Sequence, residues 1–146
     1  MDEMKWTPLL VEERMEEAAD VLARLPDRKV QGHFCNWPPI LREYWESFGW
    51  QEASMRRPQP SAAAIDRMDE TMTWLAWVDP VDAKVIWLRA SGHRWKAVCW
   101  KTGLARTAAN QHWMYGLYVI VWRLNGLELP RNKNRKQLIA AVRKAA

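Results

Sequence analysis

The sequence is poor in the residues from which several common classes of protein are built. It contains two cysteines and three histidines among 146 residues. Two cysteines form no disulfide framework, so we expect a reducing compartment, the cytoplasm. No apolar run approaches the roughly 18 residues of a transmembrane helix. The acidic start MDEMKW lacks the apolar stretch of a secretion signal, so we expect neither a signal peptide nor a membrane partner.

The few potential metal ligands and catalytic groups form no recognisable site. His33 and Cys35 lie close in sequence, and His93 and Cys99 could join them. Their His-x-Cys spacing lacks the second ligand pair of a zinc finger, and Cys99 has a packing role described below. The sequence contains no Gly-rich phosphate loop and no evident set of acid, base and nucleophile. We therefore expect no metal, no cofactor and no enzymatic activity.

Tryptophan and basic residues, by contrast, are abundant and unevenly placed. The chain holds 11 Trp and carries a net charge of +5. Residues 1–88 contain 10 Lys and Arg against 16 Asp and Glu, a net charge of −6. Residues 89–146 contain 12 Lys and Arg and a single acid, Glu128, a net charge of +11. Such a basic half favours a polyanionic partner, although a merely solvated basic face remains an alternative.

Helical spacing of apolar residues dominates the chain, and no alternating strand pattern is visible. Predicted helices cover approximately 8–25, 40–48, 61–78, 80–90 and 105–124, and a further one precedes the turn at Gly103 within the segment 94–113. The predicted buried residues of the first, third and fourth helices are Val11, Met15, Ala18, Ala19, Leu22, Leu25; Ile65, Met68, Met72, Leu75; and Val81, Val85, Leu88. The predicted fold class is all-α, a compact multi-helix domain with a C-terminal tri-helical helix-turn-helix unit.

The chain divides into three parts on charge and pattern. Residues 1–78 form an acidic, Trp-rich helical half, residues 79–126 contain the helix-turn-helix unit, and residues 127–146 form a basic tail. The tail sequence fits a helix from about Asn134, with Leu138, Ile139 and Val142 docking, and it fits a mobile arm equally well.

The segment RWKAVCWKTGLARTAANQHW, residues 94–113, has the spacing of a helix-turn-helix. Cys99 supplies a small residue where the two helices cross, and Ala109 packs back onto it from the second helix. Gly103 lies in the turn, where a positive φ favours glycine. The remaining core positions are Val98 and Leu104, with Trp95 and Trp113 at the two ends. The structural alternative is a helical hairpin that is basic for no functional reason.

These residues resemble the bacterial helix-turn-helix, and with the preceding helix they resemble the tri-helical unit of sigma-factor region four. From about Val11 to Gly126 the chain also resembles an uncharacterised family of small bacterial and prophage-associated proteins. The matching segments are VEERMEEAADVLARLP, FCNWP, AAIDRMDETMTWLAWV, and WLRASGHRWKAVCW through RLNG. The resemblance implies the fold and a helix-turn-helix-like C-terminal half, but no activity. Two departures are Ala105, where a Ser N-cap is typical, and Gln111-His112, where the family often has Arg-rich pairs.

A docked helix-turn-helix presents the first turns of its second helix to the major groove of DNA. The predicted base-contacting residues are Arg106, Thr107, Asn110 and Gln111. The predicted phosphate-contacting residues are Arg94, Lys96, Lys101, Arg131, Lys133, Arg135 and Lys136. We therefore expect a cytoplasmic, nucleoid-associated protein that binds duplex DNA and regulates transcription in a bacterial or prophage setting.

A protein-interaction module is the alternative hypothesis. Exposed tryptophans of the acidic half, Trp37, Trp45 and Trp50, together with Trp6, would contact RNA polymerase, a sigma factor or a phage assembly or packaging component. A homodimer is compatible with both hypotheses, although no heptad or obvious dimer helix is present.

Overall fold

The computed structural model describes residues 5–26, 57–129 and 134–145, and within these ranges the protein is all-helical. The helices are α1 (Pro8–Arg24), α2 (Ala62–Trp74), α3 (Pro80–Ala90), α4 (Trp95–Thr102), α5 (Arg106–Leu124) and α6 (Arg135–Ala145), with a 3-10 turn at Leu75–Trp77. The predicted all-α class is confirmed. The helix predicted over 40–48 lies outside the described residues. In the described part of the chain, no helix combines the length and apolar character needed to cross a membrane.

Local sequence signals explain where several helices begin. The Thr7 side chain accepts a hydrogen bond from the amide of Leu10, and Pro8 occupies the first position of α1. The Ser61 side chain accepts one from the amide of Ala64 at the start of α2. Both predicted N-caps are confirmed. Asp79 occupies the N-cap position of α3 but its side chain makes no capping hydrogen bond, so only the position of the predicted cap was right.

The main core is formed by α1, α3 and α5 around Trp74. Its fully buried side chains include Val11 and Met15 from α1 and Ile86 from α3. A second, smaller cluster joins α1 to α2 through Ala18, Val21, Ala64 and Met68. The acidic half and the basic half therefore share one hydrophobic core.

The buried face of α1 differs from the predicted one by one position at its end. Val21 is fully buried, whereas Leu22 is 42% exposed. The cause is α2, which packs against Ala18 and Val21 and so covers that side of α1. The prediction that Leu22 belongs to the buried stripe was wrong.

The buried faces of α2 and α3 also differ from prediction, because each one buries a polar residue. Met72 of α2 is exposed, while Thr71 is buried with its hydroxyl donating to the carbonyl of Arg67 at 2.7 Å. Such a bond within the helix removes the cost of burying the hydroxyl. Val81 of α3 is likewise exposed, while its neighbour Asp82 is buried. A purely apolar template therefore includes Met72 and Val81 in place of Thr71 and Asp82, whereas Met68 and Val85 are buried as predicted.

The basic tail forms a helix, α6, that packs on α5. Leu138 is buried next to Tyr115, Tyr118 and Trp122 of α5. Of the two alternatives for the tail, the described residues support the docked helix from Arg135 onward.

Candidate nucleic-acid interface

The connection between α4 and α5 is a tight turn centred on Gly103. Gly103 has φ +71°, a left-handed conformation that glycine adopts without strain, and its amide donates to the carbonyl of Cys99 at 2.8 Å. Val98 and Ala109 are both fully buried on either side of the turn. Cys99 is half-buried rather than fully enclosed. Helix α3 packs against both α4 and α5 and so fixes the two helices relative to each other.

The first turn of α5 is formed without a side-chain cap. Ala105 lies at the N-cap position, and its carbonyl accepts a hydrogen bond from the amide of Ala109 at 2.8 Å. The amides at the start of α5 consequently have no side-chain acceptor from the cap residue. Those amides are free to face an anion.

Two tryptophans connect the start of α4 to the first half of α5. The rings of Trp95 and Trp113 pack edge to face, with their centroids 5.8 Å apart. The guanidinium groups of Arg106 and Arg89 lie over Trp95, at 4.1 Å and 4.7 Å from the ring centroid. Trp95 therefore fixes two cations beside the start of the second helix.

The four predicted base-contacting residues have two kinds of surroundings. Thr107 and Gln111 are exposed. Asn110 is half-buried, and its Nδ2 lies 3.5 Å from the sulfur of Met114. Arg106 is exposed but stacks on Trp95, as described above. Thr107 and Gln111 are thus the two side chains of this set without an interaction partner among the described residues.

The predicted phosphate-contacting residues of α4 also differ from one another. Arg94 and Lys96 are exposed and have no hydrogen-bond or ion-pair partner in the described part of the chain. Lys101 is exposed, but its Nζ lies 2.7 Å from Nε2 of His93. The carbonyl of Lys101 accepts a hydrogen bond from Nζ of Lys84 at 3.0 Å. This bond gives a partner to one of the last carbonyls of α4, which have none within the helix.

On α6, Arg135 lies beside three groups. Its guanidinium lies 3.9 Å from the carboxylate of Asp79, 3.3 Å from Nδ1 of His112, and 4.8 Å from the ring centroid of Tyr115. Lys136 is exposed. The predicted contacts Arg131 and Lys133 lie outside the described residues.

A groove of about 600 Å³ separates the first half of α5 from α6. Its cationic lining groups are Arg135, Lys136 and Lys144, and the described lining contains no acidic side chain. Gln111 and Met114 form the α5 wall. The tail helix therefore places positive charge beside a residue predicted to contact bases.

A buried polar pair joins α3 to α5 and was not predicted. Oδ1 of Asp82, which is fully buried, lies 2.5 Å from Nδ1 of His112. An aspartate between apolar positions of α3 was a signal that something polar must face it. The sequence did not identify His112 as the partner, because the two residues are 30 positions apart.

Trp100 was also missed, although helical spacing could have found it. It lies two positions after the buried Val98, which places it on nearly the opposite side of α4. Its side chain is 85% exposed. By contrast, Trp6 is half-buried and packs edge to face on Trp74, with the centroids 5.2 Å apart. Trp6 therefore packs against the main hydrophobic core.

Several other predicted residues lie outside the described part of the chain: Trp37, Trp45, Trp50, His33 and Cys35. Across residues 5–26, 57–129 and 134–145, no group of three or more His, Cys, Asp or Glu side chains is arranged to hold a metal ion.

Comparison with known proteins places the chain in a family but does not supply an activity. No curated protein and no solved structure gives a significant match. The sequence profile of a domain of unknown function, DUF6362, matches residues 23–120, which is more than half of the chain and includes α2 to α4 and most of α5. The chain therefore belongs to the DUF6362 family of domains of unknown function.

Proposed function

We propose that the protein binds duplex DNA through α4 and α5, with the first turns of α5 in the major groove. The observation that carries this proposal is the turn at Gly103, which joins two helices whose outer surface carries cations, and first-turn amides of α5, without side-chain partners among the described residues. This is the arrangement with which a helix-turn-helix meets DNA. The finer part of the proposal is a transcriptional regulator of bacterial or prophage origin, nucleoid-associated and similar to sigma-factor region four.

Several of the proposed contact side chains are ready to bind without breaking an interaction. Arg94, Lys96, Thr107, Gln111 and Lys136 are exposed and have no hydrogen-bond or ion-pair partner among the described residues. A phosphate contact made by such a cation releases counterions and breaks no ion pair. Among the described residues, no carboxylate pairs with any of these five side chains, which supports DNA as the partner.

The stacked position of Arg106 is compatible with a base contact. A guanidinium that lies over an indole ring keeps its N–H groups in its own plane, so its edge still presents donors. Two of these donors suit the O6 and N7 acceptors of guanine. Stacking on Trp95 at 4.1 Å also restricts the rotamers of Arg106 before DNA arrives, which lowers the entropic cost of binding.

The proposal is tested by measuring the affinity of the full chain for random and genomic duplexes across a range of salt concentrations. Affinity should fall steeply with salt, and the double variant Arg94→Ala/Lys96→Ala should reduce the slope of log affinity against log salt by about 2, or about 1 per lost phosphate contact. The control is Arg57→Ala, which removes an exposed cation that pairs with Asp20 beside α1. A flat salt response, or an equal effect of the control, contradicts the proposal.

Sequence preference is tested separately with a selected binding site. Arg106→Ala should cost about 1–3 kcal/mol on that site and relax the preference for one base pair, whereas Arg94→Ala should weaken all sites alike. An unchanged footprint for Arg106→Ala would show that this side chain serves only to pack against Trp95.

A further inference from the structure

Trp100 has an exposure that the fold does not require. It is 85% exposed, while the other tryptophans of the described residues are buried or half-buried. A large apolar ring that stays in water keeps apolar surface area exposed that burial would stabilise. On a small domain such a ring often marks a binding site. The side chain lies on the outer face of α4, close to the proposed DNA-binding helix.

An open groove of about 880 Å³ lies beside the ring. Its apolar part includes Ala97 and Leu104, and at Gly103 the backbone has no side chain. Arg94 and Lys96 are the charged residues of its lining, and the described lining contains no acidic side chain. Lys96 and Trp100 are four residues apart on one helix, so their side chains are neighbours on its surface. The groove thus combines an aromatic face, apolar lining residues and two cations that have no ion-pair partner in the described part of the chain.

We propose that this groove binds a single-stranded segment of nucleic acid, with an unpaired base stacked on Trp100 and its phosphates held by Arg94 and Lys96. An aromatic ring beside cations is the common means of holding single strands, because every base has a flat face and every nucleotide a negative charge. In the interior of a duplex each base face is covered by its neighbours, so Trp100 has no face to stack on there. The remaining lining is apolar, so the groove selects single strands without strong base preference.

The charge of the groove disfavours a second copy of this chain as the occupant. In a two-fold dimer, the same patch meets itself, so Arg94 and Lys96 would face identical cations. A polyanion meets no such repulsion. The choice of a nucleic acid rather than an acidic protein rests on the proposed function, since the same surface is assigned there to phosphate contacts. The inference adds a stacking site for an unpaired base at Trp100 to the proposed duplex site, with which it shares Arg94 and Lys96, as would suit DNA that is locally opened.

The test uses the full chain and three labelled probes: a blunt duplex of about 20 base pairs, the same duplex with a tail of about ten thymidines, and a single strand of about 20 thymidines. Trp100→Ala should weaken binding of the tailed duplex and of the single strand by about 5- to 150-fold, because stacking contributes about 1–3 kcal/mol per base. Binding of the blunt duplex should not change. Because the ring is exposed, the variant should melt at the same temperature as the parent protein.

Two further variants separate stacking from simple apolar contact. Trp100→Phe keeps an aromatic face and should retain most of the single-strand affinity, whereas Trp100→Leu keeps apolar surface alone and should not. Met72→Ala, which trims an exposed apolar side chain on α2, serves as the control and should have no effect. Equal behaviour of the Phe and Leu variants would overturn the stacking inference and favour an acidic protein partner.

The outcomes distinguish this inference from the proposed function. Binding of the blunt duplex with no contribution from Trp100 to any probe overturns the inference and leaves the proposed function in place. Trp100-dependent binding of the single strand without binding of the blunt duplex supports the inference and overturns the proposed function. A change in molar mass on Trp100→Ala, measured by light scattering, would overturn the inference by assigning the groove to a second copy.

Discussion

Nδ1 of His112 lies 2.5 Å from Oδ1 of Asp82, and this contact joins α5 to α3 beneath the proposed DNA-binding surface. Asp82 is fully buried, and its second oxygen has no hydrogen-bond partner among the described residues. The carboxylate lies in the first turn of α3, where the peptide dipoles favour negative charge. His112 is therefore the one side chain that donates a hydrogen bond to the Asp82 carboxylate among the described residues.

Replacing His112 should strongly destabilise the fold. His112→Ala leaves a buried carboxylate without its partner, a loss that typically costs about 3–5 kcal/mol. Urea unfolding followed by circular dichroism at neutral pH measures the difference in the free energy of unfolding. Gln111→Ala is the matched control, because its side chain is adjacent but exposed, and it should change stability by no more than about 0.5 kcal/mol. Equal stability of the two variants would mean that the Asp82 carboxylate does not need His112.

A larger residue at Gly116 should also destabilise the fold. A Cβ atom at this position would lie 2.6 Å from Cδ1 of Ile86 and 3.2 Å from Cβ of Asp82, so α5 and α3 are in close contact here. Gly116→Leu should therefore cost about 1–3 kcal/mol through overpacking, which exceeds the gain of up to about 1 kcal/mol from replacing a helical glycine. Thermal melting of Gly116→Ala and Gly116→Leu measures both effects. A Leu variant as stable as the parent would contradict the close packing.

Asn125 connects the N-terminal segment to the end of α5, and its amide group should be irreplaceable by a carboxylate. Its Oδ1 accepts from the amide of Trp6 at 3.1 Å, and its Nδ2 donates at 2.9 Å to the carbonyls of Trp6 and of Val121. Asn125→Asp removes both donors and places negative charge against two carbonyls. The expected loss of stability is about 1–3 kcal/mol by chemical unfolding.

The control for that variant makes the same chemical change at an exposed position. Asn134 lies just before α6, where its carbonyl accepts from the amide of Gln137, and Asp is as good an N-cap as Asn. Asn134→Asp should therefore leave stability unchanged or slightly raised. If both variants lose the same stability, the contact between Asn125 and Trp6 contributes nothing specific.

Acid should weaken the link between α1 and α2. Nη2 and Nε of Arg67 donate to Oε1 of Glu17 at 2.6 Å and 3.0 Å, and these hydrogen bonds lower the pKa of Glu17 below its usual 4.5. A carboxyl whose pKa is lower in the folded state stabilises the fold fully above its usual pKa, and this stabilisation is lost as pH falls through the lowered value.

A double-mutant cycle measures this pH dependence. The coupling between Glu17→Gln and Arg67→Gln should be present at pH 7, decline below about pH 4.5 and be lost as pH falls through the lowered pKa of Glu17. The pair is partly exposed, so added salt should also reduce the coupling at pH 7. A coupling of equal size at pH 7 and pH 2 would show that the ionised carboxylate is not responsible.

The parts of the fold that follow from local rules were predictable from the sequence. Gly103 and Ala109 occupy positions that a turn and a helix crossing require, and both have the expected conformation and burial. Thr7 and Ser61 begin helices for equally local reasons.

The contacts that were missed depend on residues far apart in the chain. The burial of Asp82 depends on His112, and the burial of Val21 in place of Leu22 depends on where α2 packs. Trp100 is exposed because no other element of the described structure covers that face of α4. Spacing along one helix specifies which residues share a face, but not which face a distant helix covers.

Under the proposed function, the position of α6 would limit how many base pairs of a DNA target one copy of the protein could contact. Gln111 forms a wall of the groove against α6, and Trp122 packs near Leu138, so α6 borders α5 over most of its length. The proposed base-contacting residues, from Arg106 to Gln111, lie before or at this border, a stretch of about 8 Å at 1.5 Å per residue. Base pairs are about 3.4 Å apart, so such a stretch spans about two or three of them. If the proposed function is correct, a target that is unique in a genome would consist of several short sites at fixed spacing, each occupied by its own copy.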